Sequence, residues 1–338
     1  MPSGSRFTLS APRHTGPITD HFNGRQFVNQ EPMPARSLGD VLRWQLDFSR
    51  ERGTWGAYHN EPPAPPPPRT VDGAAIRVTF INHATLLVQA GGVNILTDPI
   101  WSRRASPFGW IGPARVRPPG IRFDDLPPIH VVLVSHNHYD HLDAATLQAL
   151  ARRHRPRFLV ALGNAALLAR YGIGGAEDMD WYESRPASGA IRITAVPARH
   201  WSSRGFSDRA ATLWCGYAIE APGGLVYFAA DSGYGRHFAE IRDRVGSPRV
   251  ALLPIGAYLP RWFMEPFHLS PDDALQAHAD LGAQTSLATH FGTFNLADDG
   301  ETQPVEVLRA RLAWLDGSAP DFRVPRFGEA FNFGPNGA

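Results

Sequence analysis

The chain has 338 residues, 43% of them hydrophobic and 19% charged, enough for one large domain or two ordinary ones. Its formal charge of +1 provides no global attraction to nucleic acid, which is not expected as a partner, or to an anionic membrane surface. All 33 basic residues are arginine and Cys215 is the one cysteine, which excludes a Schiff-base lysine, a Walker-type phosphate loop, a serine–lysine dyad, an intramolecular disulfide and any all-cysteine metal site.

Residues 1–70 read as an N-terminal arm that ends in a proline-rich linker, EPPAPPPP at Glu61–Pro68. A helix is expected from Leu38 to Arg50. Leu38, Val41, Leu42 and Leu46 recur at spacings of three and four on the face that packs onto the main domain, and Trp44 and Phe48 fall off it. Residues 71–338 read as one α/β domain. IRVTFI, TLLVQ and VNILT open it as short strands, with a turn at Ala90-Gly91-Gly92. HVVLVS (130–135) is a continuous apolar strand, and a helix follows from the cap Asp143 to about Arg153. Next come the strand RFLVAL and the helix NAALLARYG, then the strands IRITAV, LVYFAA, VALLP and TSLAT, with helices at Gly235–Val245, Pro271–Leu281 and Val305–Leu315. Ser270-Pro271-Asp272-Asp273 combines a capping hydroxyl, a first-turn proline and acids near the positive end of the helix dipole. No apolar run approaches the roughly 20 residues of a membrane span, and the first residues carry no export-type apolar stretch. A cytoplasmic protein is expected, with peripheral membrane contact and a homodimer left open.

With lysine absent and cysteine nearly so, the 14 histidines are the chemical surplus. Three of them and a carboxylate fall in His136-Asn137-His138-Tyr139-Asp140-His141, directly after the strand at 130–135. In an extended segment His136 and His138 point the same way, and a turn then faces Asp140 and His141 toward a second point. Imidazole with carboxylate suits zinc and similar divalent ions, whereas a merely solvated turn has no use for this density of ligand types. His200 follows IRITAV, Asp231 follows LVYFAA and His290 follows TSLAT, and in open α/β sheets ligands gather outside the carboxyl ends of strands.

HNHYDH resembles the HxHxDH motif of the metallo-β-lactamase superfamily, with the later positions following at intervals of 59, 31 and 59 residues from His141 through His200 and Asp231 to His290. INHATLLV, LTDPIWSRRASPFGWIGPARVRPP, SHNHYDHLD, ADSGY, LLPIGAYLPRWFM and THFGTFNLA extend the resemblance to the branch of N-acylphosphatidylethanolamine-hydrolysing phospholipase D, from about Ile76 to Leu315. The resemblance implies an αββα sandwich of two mixed β-sheets flanked by helices. It also implies two divalent metal ions, zinc first with manganese or iron as alternatives. His136, His138 and His200 would hold one ion, Asp140, His141 and His290 the other, and Asp231 would bridge them.

For the remaining residues two roles stand side by side. Asp98 orients a ligand histidine or forms the turn before Pro99, and His83 supports the centre or is structural. Asp140 also has the position to orient the nucleophilic water. His268 contacts substrate or protonates a leaving group, or else only starts a helix. Arg261, in the aromatic stretch with Trp262, pairs with a phosphate or with a carboxylate. Two departures from the branch fall on the substrate side. Asp208 is followed by Arg209 and Ala210, where relatives carry an asparagine two residues past an aspartate, and LWCGY replaces an LWGSW-like stretch.

The implied reaction is hydrolysis of a phosphodiester in a phospholipid-type or small-molecule substrate. The alternatives are hydrolysis of a lactone or β-lactam, a flavo-diiron redox role, nuclease activity, and metal binding without turnover.

Overall fold

The computed structural model describes residues 10–34, 36, 38–47, 49–205 and 207–334. Helix α1 (Leu38–Leu46) stops four residues short of the expected end. Asp47 accepts hydrogen bonds from the Ser49 N–H (3.0 Å) and hydroxyl (2.6 Å), and this local turn competes with the next helical turn. Its inward residue is not the one expected. Leu42 and Leu46 are exposed, and Trp44 stacks on Phe263 (4.9 Å) and donates its Nε1–H to Asp298 (2.7 Å). An indole brings both a large apolar ring and a donor that needs a partner, and the docking surface supplies both. Phe48 lies outside the described residues.

The first sheet begins with the antiparallel strands β1 (Ile76–Asn82), β2 (Thr85–Ala90) and β3 (Val93–Thr97). Gly91 and Gly92 turn β2 into β3 with φ of 53° and 76°, the left-handed pair that a two-residue hairpin requires. Parallel strands continue it: β4 (Val131–Val134), helix α2 (Ala144–Arg153), β5 (Arg157–Ala161), helix α3 (Ala165–Arg170) and β6 (Glu177–Met179). Asp143 caps α2 by accepting from the Ala145 N–H.

The second sheet holds β7 (Ser184–Ser188), β8 (Ile191–Val196), β9 (Gly216–Ala221), β10 (Gly224–Phe228), β11 (Val250–Pro254), β12 (Thr285–Thr289) and β13 (Phe322–Arg323), side by side in that order. Between these strands lie α4 (His237–Val245), the short α5 (Arg261–Met264), α6 (Pro271–Leu281) and α7 (Gln303–Leu315). Ser270 and Asp273 form a reciprocal capping box at the start of α6. The last strand, β14 (Ala330–Phe333), returns to pair with β1 at the edge of the first sheet.

The two sheets share one apolar core, to which Val78, Phe80 and Leu133 contribute from one side and Ile193, Tyr217 and Leu252 from the other. Phe238 and Ile241 of α4 and Ala274 and Leu281 of α6 extend that core across the far face of the second sheet. Leu147, Leu150 and Leu167 of α2 and α3 cover the outer face of the first sheet. The architecture is the expected αββα sandwich of mixed sheets.

The arm lies along this body. Phe22 and Phe27 are buried in the main core, and the Ala64 N–H and Pro68 carbonyl bond to Gly120 and Gln89. No helix among the described residues is long and apolar enough to cross a membrane.

Candidate metal centre

Four strand ends converge on one edge of the sandwich. His136, His138, Asp140 and His141 follow β4 of the first sheet. His200, Asp231 and His290 follow β8, β10 and β12 of the second, all of which run toward the same edge. His83 sits in the β1–β2 turn and Asp98 directly after β3. His83, Asp98 and His290 adopt φ of 47°, 33° and 59°, a left-handed backbone that costs non-glycine residues about 1–3 kcal/mol each and that the surrounding sheets impose.

The ligand-type atoms form overlapping groups, within each of which they lie no more than 4.8 Å apart, and the two four-membered ones are His136, His138, His200 and Asp231, and His83, Asp140, His141 and His290. In the first, His136 Nε2 is 2.9 Å and His200 Nε2 is 3.3 Å from His138 Nδ1. Imidazole nitrogens around a tetrahedral zinc lie about 3.3 Å apart, given metal–nitrogen bonds of about 2.0–2.1 Å. In the second, His141 Nε2 and His290 Nε2 are 3.4 Å apart, and Asp140 Oδ2 is 3.3 Å and 3.5 Å from them. Asp231 reaches both groups, with Oδ2 3.6 Å from His200 and 3.2 Å from His141 and Oδ1 3.1 Å from His290. Imidazole nitrogens and carboxylate oxygens converging at these spacings fit divalent cations.

The charges give the same picture. Burial pushes His136, His138 and His200 toward the neutral form, His138 to about 4 and the other two well below the ordinary value. Burial also opposes charge on His141 and His290, but the Asp231 and Asp140 carboxylates outweigh it, lifting His141 well above its ordinary value and His290 to about 9. Burial raises Asp140 and Asp231 in turn, and their cationic histidine neighbours hold both well below the carboxylate range. The carboxylates of this edge thus favour positive charge between them, as a cation site requires.

Asp98 stands behind the centre. Fully buried, it accepts hydrogen bonds from His141 Nδ1 (2.8 Å), the Ser135 N–H (2.7 Å) and the Ser135 hydroxyl (2.5 Å). Ser135 Oγ also lies 2.9 Å from His136 Nδ1. His83 Nε2 bonds to Asp140 Oδ2 (2.9 Å), and its ring lies 3.9 Å from that of His290. His268 is brought to the rim, with Nδ1 3.8 Å from Asp231 and its ring 5.1 Å from that of His200. Arg261 is turned elsewhere. It donates to Asp273 (2.8 Å) and to the His268 carbonyl (3.2 Å), so its guanidinium is committed to the start of α6. Trp262 lies outside too, its ring 4.8 Å from the Arg43 guanidinium carbon.

A cavity of about 420 Å³ opens above the centre. His138, Asp140, Asp231 and His268 form its floor, Trp44, Phe263, Met264 and Phe267 its apolar wall, and Arg36 and Arg209 its cationic rim. The Arg209 guanidinium lies 4.1 Å from the Trp201 ring centroid, and among the described residues no carboxylate pairs with it. A second cavity, of about 540 Å³, lies beyond Tyr139 and is lined by Arg103, Arg104 and Arg204. It contains none of the convergent histidines.

Sequence reasoning missed Ser135, which looked like the last residue of a strand. It also missed Asn29, whose contacts link segments 171 residues apart. Arg209 was visible only as a departure from the branch pattern.

The model of the β-lactamase superfamily domain matches residues 93–291. An uncharacterised protein of Mycobacterium tuberculosis is 38% identical over 244 residues, which is 71% of this chain and 64% of that protein. The chain is 37% identical to N-acyl-phosphatidylethanolamine-hydrolyzing phospholipase D 1 of Caenorhabditis elegans over 259 residues, 74% of this chain and 72% of the relative. Among solved structures, the isothiocyanate hydrolase from Delia radicum gut bacteria superposes with a TM-score of 0.60 at 21% identity, over 76% of this chain and 99% of that one. Igni18, a metallo hydrolase from Ignicoccus hospitalis, gives a TM-score of 0.58 at 20% identity over 77% and 99%. These likenesses, with the strand-end histidines and carboxylates of the αββα sandwich, make the chain a member of the metallo-β-lactamase superfamily of metal-dependent hydrolases.

Proposed function

We propose that the protein is a dinuclear hydrolase that cleaves a phosphodiester in a phospholipid-type substrate. Asp231 carries this reading, because its two oxygens face the two ligand groups at the floor of an apolar cavity. The 37% identity to a nematode enzyme named for hydrolysing N-acylphosphatidylethanolamine supports the substrate class. His136, His138 and His200 would hold one ion and Asp140, His141 and His290 the other, with Asp231 shared. Zinc suits this donor set best, with manganese and iron as alternatives. Such ions, when bound, lower the pKa of water and withdraw charge from a phosphoryl oxygen.

The chain's own residues supply the rest. Asp140, at the cavity floor, accepts a hydrogen bond from the nucleophilic water and orients it, while His83 fixes the carboxylate. His268 is partly buried and pushed down to about 4 by desolvation, so it meets the substrate as a neutral imidazole and hydrogen-bonds the leaving-group oxygen. Arg209 takes the phosphate role that the sequence suggested for Arg261, since its fork faces the cavity without a competing carboxylate. Acyl chains fit against Trp44, Phe263, Met264 and Phe267, and the exposed Leu42 and Leu46 of α1 suit peripheral contact with a lipid surface. The metal-reconstituted protein is assayed on N-acylphosphatidylethanolamine vesicles and on lactones. Release of a phosphatidic-acid-type product is expected, and lactone turnover with the phospholipid left intact overturns the proposal.

A further inference from the structure

His200 differs from the other histidines of its group in how its backbone is held. The end of β4 that leads into His136 and His138 is fixed by the Ser135 N–H bond to Asp98. His200 lies beyond β8, where the described residues form no helix or strand before β9 at Gly216. It is fully buried, so its main-chain N–H and C=O both require partners. One side chain provides both. Asn29 Nδ2 donates to the His200 carbonyl (2.8 Å), and the His200 N–H donates to Asn29 Oδ1 (3.1 Å). Asn29 Oδ1 also accepts from Trp214 Nε1 (3.1 Å), an indole buried in the main core. The amide is therefore braced against the core on one side and clamps the His200 peptide on the other.

The arm that delivers Asn29 is laced to the same segment. Ala11 N–H bonds to Asp208 (2.6 Å), His14 N–H to the Ala211 carbonyl (3.0 Å), Gln26 Nε2 to the Arg209 carbonyl (2.8 Å) and Phe27 N–H to the Ala210 carbonyl (2.9 Å). Separately, His21 anchors the arm to the body through Asp180 (2.7 Å) and by stacking on Trp181 (4.5 Å). With the backbone fixed, the His200 ring needs one more constraint. Its Nδ1–H donates to the Phe267 carbonyl (3.0 Å), which turns the lone pair of Nε2 toward His138 and Asp231.

We infer that Asn29, which the N-terminal arm delivers, is a positioning residue of the metal centre. It acts through the His200 backbone, fixing where Nε2 sits, and touches no substrate. The inference rests on the reading of His200 as a ligand, and its test separates the two.

Metal affinity is measured by chelator competition with zinc, and coordination by the visible spectrum of the cobalt-substituted protein, for the wild type, His200→Ala, Asn29→Ala, Asn29→Asp and His21→Gln. Asn29→Ala is expected to weaken one of the bound ions by about ten- to a hundred-fold, the range for residues that orient ligands, and to alter its cobalt bands while the other ion stays. Asn29→Asp keeps the acceptor for the His200 N–H but sets an oxygen against the His200 carbonyl, so it falls between the two, and it serves where the alanine variant does not fold. His21→Gln loosens the arm elsewhere, so it lowers the thermal midpoint and leaves metal affinity and spectrum unchanged. Wild-type affinity and spectrum in both Asn29 variants overturn the inference, as does an equal loss in His21→Gln, which would make the arm a general stabiliser. Undiminished metal in His200→Ala instead overturns the ligand assignment itself.

Discussion

Replacing Asp98 by asparagine removes one charge and almost no volume, yet it should disturb both proposed ion sites. In the native protein Asp98 accepts three hydrogen bonds, from the Ser135 N–H, the Ser135 hydroxyl and His141 Nδ1. The bond to His141 fixes the tautomer with the proton on Nδ1, which leaves the Nε2 lone pair for an ion. An asparagine whose oxygen still accepts from the Ser135 N–H sets its amide nitrogen against both the hydroxyl and the imidazole, which share the other oxygen of Asp98. Donor opposes donor, and the imidazole relieves this by moving its proton to Nε2, the atom the ion needs. Ser135 Oγ bonds to His136 Nδ1 as well, so the disturbance reaches the first group at one remove. A lost ligand-orienting bond costs about ten- to a hundred-fold in metal affinity, or about 1.4–2.7 kcal/mol. The expected result is a loss of that size for the ion that His141 is proposed to hold and a smaller one for the ion proposed at His136. Chelator competition measures both, and melting curves with and without zinc place the loss in the loaded state. Two ions bound at wild-type affinity by Asp98→Asn would refute the tautomer argument.

Three further outcomes follow from the geometry. Arg209→Ala should raise KM for a phosphodiester about ten-fold or more and leave kcat nearly unchanged, since a charged hydrogen bond is worth about 1.5–3 kcal/mol; equal loss on a neutral lactone would contradict a phosphate role. Because His141 and His290 are raised in the metal-free protein, His290 to about 9, ion loading at neutral pH must expel protons and metal affinity must climb with pH. Calorimetry in two buffers of different ionisation enthalpy reads this release, and no net release at pH 7 would refute it. Burial lowers His21, but the Asp180 and Asp20 carboxylates raise it above its ordinary 6.5, so its hold on the arm is complete below that pH and is lost as pH rises through the raised value. Hydrogen exchange at the Phe27 and Val28 amides should therefore quicken on the alkaline side in the wild type, and the same rise in His21→Gln would rule the ion pair out.

The ligand candidates were legible because each follows an apolar strand, and a strand end carries its side chain to a known edge of the sheet. β9 was not legible: Gly216–Ala221 is short and buried on both faces, so it shows no alternation. β13 and β14 are two and four residues long, and only their pairing with distant strands makes them strands. The helix α1 was placed correctly but turned wrongly, because periodicity ranks leucines by spacing and cannot know that Asp298 waits for an indole N–H. The sequence singled out Arg261 for its aromatic neighbours and passed over Arg209, but Asp273 pairs with the first, whereas among the described residues no carboxylate pairs with the second. Asn29 had no signal at all, since its meaning lies in a peptide 171 residues away.

The two sheets contribute unequally to the edge where the chemistry sits. Apolar side chains lock the sandwich together through its middle, but at that edge the facing groups are imidazoles and carboxylates, four from the first sheet after β4 and three from the second after β8, β10 and β12. An ion shared between such groups acts as a rivet between the two layers, for it binds the closed arrangement and not the parted one. Catalytic competence and mechanical closure of this edge are then a single event: an unloaded molecule would be inactive and would also be free to gape where its substrate enters.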